Sequence, residues 1–194
     1  MVERHLAPWV LAAGIGLAGL VAAEAANAAD FVLSSPAFKD GGMLAVKNAG
    51  AQKERNPNCV GENVSPPLQW SGAPAETKSF VLLMFDPEGR GGLGVSHWVA
   101  YGIPASVSGF AEGEVSKETP NYVGGKSLMG VGFYNGPCTP AGTGYHHYTF
   151  TLIATDLDPK ALQPGLTREQ VLDEIKGHTK SATGLIGLFT KPGS

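Results

Sequence analysis

The chain has 194 residues with 14 basic and 17 acidic side chains, a formal net charge of −3 and no run of lysines or arginines. That balance excludes a nucleic-acid surface, which needs a concentrated positive field. Its 27 Gly and 14 Pro are many for the length and point to strands joined by long, shaped loops.

Met1 to Ala28 reads as a secretory signal. Arg4 and His5 sit in a short n-region, Trp9 to Ala23 is an uncharged apolar run, and Ala26-Asn27-Ala28 supplies the small-x-small pattern before a cleavage site. The apolar run is short for a bilayer span, which takes about 20 residues. The expected mature protein is therefore residues 29–194, one domain without a transmembrane span, in the periplasm or outside a bacterial cell. In such an oxidising compartment the two cysteines, Cys59 and Cys138, are a disulfide candidate worth about 4 kcal/mol in the chain-entropy account; two free buried thiols are the other reading. Two distant cysteines do not make a zinc site.

Past the signal, Asp30 to Ser35 alternates around Phe31 and Leu33, an expected first strand that Pro36 ends. Asp40-Gly41-Gly42 turns the chain into Met43 to Val46, and Lys47 to Asn58 is polar, an expected exposed connection. Ser65-Pro66-Pro67 forces an extended course before Leu68 and Trp70. Lys78 to Phe85 is a continuous apolar run, as in a strand covered on both faces, and it ends at Asp86-Pro87-Glu88. Ser96 to Ile103 is a second buried strand with His97 near its start. Ser106 to Val123 reads as loop.

Gly136 to Gly144 is a Gly/Pro-rich loop that leads through Tyr145, His146, His147 and Tyr148 into a strand ending near Thr155. Residues two apart share a strand face, so His146 and Tyr148 point together and His147 away. Gly142 and Gly144 would add bare N–H groups to such a wall, which suits a small anion. One helix is well marked: Thr167 as N-cap with Gln170 completing a capping box, Val171, Leu172 and Ile175 on one stripe, and Gly177 as the stop. Gly184 to Thr190 is a last short strand. Several strands, long loops and one late helix predict a mainly antiparallel β-sandwich.

Four ordered motifs carry a resemblance: Ser65-Pro66-Pro67-Leu68-Gln69-Trp70, Asp86-Pro87-Glu88, His97-Trp98-Val99, and Gly136-Pro137-Cys138 through His146-His147-Tyr148. The chain resembles the phosphatidylethanolamine-binding protein family, which includes the Raf kinase inhibitor proteins, and within it the bacterial YbhB/YbcL branch. The resemblance implies a β-sandwich with one small anion pocket lined by Asp86, His97, Pro140, His146 and Tyr148, with Glu88 and Trp98 near its rim. It implies no cofactor and no resident metal. Two departures stand out. The family's usual Asp-Pro-Asp-Ala-Pro reads Asp86-Pro87-Glu88-Gly89-Arg90, and its usual His-Arg-Tyr reads His146-His147-Tyr148.

These residues predict a non-catalytic binding protein for a phosphate or carboxylate head group. Asp86 is expected to orient His97 and favour its imidazolium form, if the two strand ends are neighbours. A metal-assisted hydrolase using Asp86, His97 and His146 is a rival, but no Gly-x-Ser-x-Gly or His-Glu-x-x-His motif supports it. Inhibition of an exported protease through protein contact is the third class, and no motif identifies a partner.

Overall fold

The computed structural model describes Met1 and residues 29–193; the expected signal segment otherwise lies outside the described residues. Nine strands, β1 (Val32–Ser34), β2 (Gly42–Met43), β3 (Leu68–Ser71), β4 (Ser79–Asp86), β5 (Val95–Pro104), β6 (Gly109–Phe110), β7 (Val123–Gly124), β8 (His146–Thr155) and β9 (Thr179–Phe189), form two sheets. One sheet runs β2-β9-β8-β4-β5-β7 and the other β1-β3-β6. All neighbours are antiparallel except β2 and β9. The protein is mainly β and sandwich-like.

The apolar run of β4 is central because both of its faces are covered. Phe80, Leu82 and Met84 face the three-stranded sheet and pack with Trp70, Trp98, Phe110, Phe150 and Leu152. Val81 and Leu83 face the other way and join Val99, Tyr101 and Ile153 beneath Val171 of the helix Arg168–Glu174 and its C-cap Ile175. Each such side chain contributes about 1.5–3 kcal/mol when fully buried. The capping box forms as expected, with Thr167 Oγ1 accepting from the Gln170 backbone and Gln170 Oε1 accepting from the Thr167 backbone.

Several boundaries differ from expectation. The segment expected to be loop from Ser106 to Val123 holds β6 and the start of β7, each two residues long and too short to carry a period. The last strand runs from Thr179, not Gly184, because pairing with β8 continues through a polar stretch, Ala182 to Ile153 and Ser181 to Ala154. Met43 to Val46 breaks into β2 and a single 3₁₀ turn, Val46–Asn48. Cys59 and Cys138 are bridged, 79 positions apart in the chain. Among the described residues no helix is long and apolar enough to cross a membrane.

Candidate functional site

A pocket of about 240 Å³ opens where β4 ends and where β5 and β8 begin. Strict alternation would put His97 on the helix-covered face with Val99 and Tyr101. A register slip prevents this: Met84 lies opposite Trp98 but Phe85 lies opposite Ser96, so His97 is an extra residue on β5. A bulge of this kind re-aims a side chain. His97 accordingly packs edge-on against the Tyr148 ring, with centroids 5.1 Å apart, on the sandwich side with His146 and Tyr148.

Asp86 organises the floor and is only 3% exposed. Its Oδ1 accepts the backbone N–H groups of Glu88 and Gly89, both at 3.0 Å. Its Oδ2 accepts Nδ1–H of His146 at 2.9 Å and stands 4.0 Å from Nε2 of His97. The expected Asp86–His97 pairing is thus replaced by Asp86–His146. His97 instead turns Nδ1 to the Asn135 carbonyl at 2.9 Å, where it must donate. Burial pushes the His97 pKa below the ordinary histidine value, against the pull of that carbonyl and of Asp86. The net direction runs against the expected imidazolium, because desolvation of the enclosed ring outweighs a carboxylate 4.0 Å away.

His146 completes a chain of contacts. Its Nε2 lies 3.1 Å from Thr143 Oγ1, which donates to the Pro140 carbonyl at 2.9 Å. Tyr148 meets Thr139 hydroxyl to hydroxyl at 2.7 Å. Burial holds the Tyr148 phenol well above the usual tyrosine range, outweighing the Thr139 contact, so it stays protonated.

The other expected site residues divide. Pro140 lines the pocket. Gly142 and Gly144 do not line it; they lie in the exposed turn before β8, with φ of 77° and 79°. Trp98 is no rim residue, since it is fully buried in the sandwich core against Phe110, Tyr122 and Tyr134. Glu88 stands beside the pocket rather than in its wall. Its carboxylate accepts the His147 backbone N–H at 3.0 Å and faces His147 Nδ1 at 2.8 Å. Partial burial pushes Glu88 up, but the His147 hydrogen bonds outweigh it and leave a lowered pKa.

Several lining residues were not legible in advance: Gln52, Arg55 and Asn56 from the connection expected to be exposed, Arg90 from the turn after Asp86, and the apolar pair Leu128 and Met129. One signal pointed to the first group. A Cys59–Cys138 bridge carries the 50–61 loop onto the Gly/Pro wall, where Gly50 N–H donates to the Pro137 carbonyl at 2.8 Å. The loops touch so closely that a Cβ on Gly136 would come within 2.0 Å of the Asn48 carbonyl oxygen. Asp86, Glu88 and His146 offer ligand atoms within 4.8 Å of one another, but Asp86 and Glu88 already hold His146 and His147.

Residues 34–190 match the family model described as phosphatidylethanolamine-binding protein. A UPF0098 protein of Methanothermobacter thermautotrophicus is 39% identical over 137 residues, which is 69% of this chain and 87% of that one. LppC of Mycobacterium tuberculosis is 39% identical over 162 residues, 81% of this chain and 71% of its own. Among solved structures, Escherichia coli YbcL, described as a new member of the mammalian PEBP family, superposes with a TM-score of 0.73 at 26% identity, covering 83% of this chain and 98% of that one. A homologue from Chlamydia trachomatis gives a TM-score of 0.70 at 32% identity, covering 83% of this chain and 97% of its own.

Proposed function

This chain belongs to the phosphatidylethanolamine-binding protein family, and from that premise we propose that it is an exported, non-catalytic protein whose pocket binds a small phosphate- or carboxylate-bearing anion. The observation that supports this is a surplus of donors. Asp86 is the only acid in the lining, and both its oxygens are engaged. Around it stand the Tyr148 and Thr139 hydroxyls, which share one hydrogen bond and leave one O–H to donate, and the Gln52 and Asn56 side-chain amides. A site so furnished receives negative charge better than it releases it. Export rests on the signal pattern of residues 1–28 and on the Cys59–Cys138 bridge.

A hydrolytic reading has one observation in its favour: Thr143, His146 and Asp86 stand in the order nucleophile, base and orienting acid, at 3.1 and 2.9 Å. Thr143 is exposed, outside the pocket lining, and bonded to the Pro140 carbonyl, so we read it as a contact that positions the imidazole. Calorimetric titration with inorganic phosphate separates the readings. Saturable one-site binding, weakened about tenfold in His146→Ala, supports the binding protein. No heat with phosphate in the intact protein, or turnover of a p-nitrophenyl ester that Thr143→Ala abolishes, would remove it.

A further inference from the structure

Two arginines line the pocket without a side-chain ion pair among the described residues. Arg55, on the loop tied down by Cys59, and Arg90, in the turn after Asp86, both line it. Neither side chain makes a hydrogen bond or ion pair among the described residues, and both are exposed. Arg90 is held at φ 56°, a left-handed conformation that side-chain-bearing residues adopt only against a steric cost. No acid is placed to answer these charges. Asp86 is buried with both oxygens already hydrogen-bonded, and Glu88 has turned to His147 outside the lining.

Between the arginines and the polar floor the wall is apolar. Val95, Leu128, Met129, Pro140 and the disulfide sulfurs form it, and Leu128 and Met129 remain 55% and 45% exposed. Large apolar side chains left open at a pocket mouth, beside uncompensated positive charge, describe a ligand with both characters.

We infer that the pocket selects a dianionic phosphomonoester joined to an apolar group, and discriminates against a zwitterionic head group that carries an ammonium. The inference rests on the anion-binding reading above and narrows it. A phosphomonoester can take charge-assisted, paired hydrogen bonds from a guanidinium, and two guanidiniums match its second negative charge. An ammonium two carbons from the phosphate would meet the same arginines as a like charge. The apolar group then covers Leu128 and Met129 instead of leaving them in water.

The test is calorimetric titration of the protein and of Arg55→Ala and Arg90→Ala with four probes: phenyl phosphate, dihexanoyl phosphatidic acid below its micelle concentration, inorganic phosphate and phosphoethanolamine. The expected result is that a monoester with an apolar group binds about tenfold tighter than phosphoethanolamine, with inorganic phosphate between them. Each arginine variant should narrow that lead while leaving phosphoethanolamine nearly unchanged, and Arg→Lys at either position should restore part of it. Phenyl phosphate ranking first identifies a free ester, and phosphatidic acid ranking first identifies a lipid head group; both support the class. Phosphoethanolamine binding as tightly as the monoesters, or arginine variants that leave the ranking intact, overturns the inference while the anion pocket stands. Failure of all four probes removes the anion reading and this inference together.

Discussion

Breaking the Cys59–Cys138 bridge should cost stability and ligand affinity together, because the bridge is the covalent tie between the 50–61 loop and the pocket wall. Most hydrogen bonds inside that loop are local, with Gly61 N–H to the Gly50 carbonyl at 3.0 Å and Arg55 and Cys59 N–H to the Gln52 and Asn56 carbonyls, while Gly50 N–H to the Pro137 carbonyl and Lys191 Nζ to Asn58 Oδ1 are non-local. With 79 positions between the cysteines, the chain-entropy account gives about 4.5 kcal/mol at 25 °C. At about 2–4 °C of Tm per kcal/mol for a domain of this size, that is a fall of about 9–18 °C. The assay is urea unfolding and a thermal scan of the protein with and without a phosphine reductant, beside the Cys59→Ser/Cys138→Ser double variant. The midpoint should drop in both. In the reduced but still folded protein, phosphate affinity should also fall, since Arg55, Gln52 and Asn56 all ride on the released loop. A stability loss below about 1 kcal/mol, or an unchanged affinity in the reduced protein, would refute the view that the bridge shapes the site.

The buried His97 gives a pH signature. Its folded pKa lies below the ordinary value of 6.5, so its contribution is intact above that pH and is lost as pH falls toward the folded pKa, where the unfolded chain takes up a proton that the fold refuses. His97→Asn, which keeps a donor for the Asn135 carbonyl, should remove a slope of up to about 1.4 kcal/mol per pH unit from urea-unfolding stabilities measured below pH 6.5; equal slopes in both proteins would mean that the ring is charged in the fold. Thr167→Ala should lose about 1 kcal/mol by deleting the N-cap acceptor for Gln170, read as a lower urea midpoint with phosphate affinity unchanged, because the helix covers the opposite face of the large sheet from the pocket.

How much was legible follows from how far each signal reaches along the chain. The covered strand β4, the pairing of His146 with Tyr148 on one face and the Thr167 cap are local patterns of period two or of fixed offset, and all three are present. The compartment argument led to the right cysteine pair. His97 was misread in the direction of its pKa shift because its environment is set by a one-residue slip between β4 and β5, which no periodicity encodes. Trp98 was placed at the rim by position in a motif, yet a residue adjacent to a bulged histidine can point into the core, and it does. The stretch from Lys47 to Asn58 is largely exposed as expected, but its place beside the pocket has a third source. Its polar residues look like solvent-exposed filler until a cysteine at its end fastens it over a distant loop.

The two departures from the family's usual motifs are explained by one another. Glu88 replaces the second acid of Asp-Pro-Asp-Ala-Pro, and His147 replaces the arginine of His-Arg-Tyr. In the fold the two meet: the longer Glu88 side chain reaches both the backbone N–H and the ring Nδ1 of His147. That contact fixes the turn after β4 to the start of β8, where a guanidinium would otherwise act, and it removes Glu88 from the ligand. Gly89 follows from the same packing, since a Cβ there would come within 2.6 Å of Val95 Cγ2 and 3.1 Å of Asp86 Oδ2. Its bare N–H is one of the two donors that hold Asp86 Oδ1. Arg90, next in line and held at a positive φ, lines the pocket. Under the proposed reading, the departures at positions 88 to 90 and 147 together leave a pocket with arginines at its lining and no acid there but Asp86.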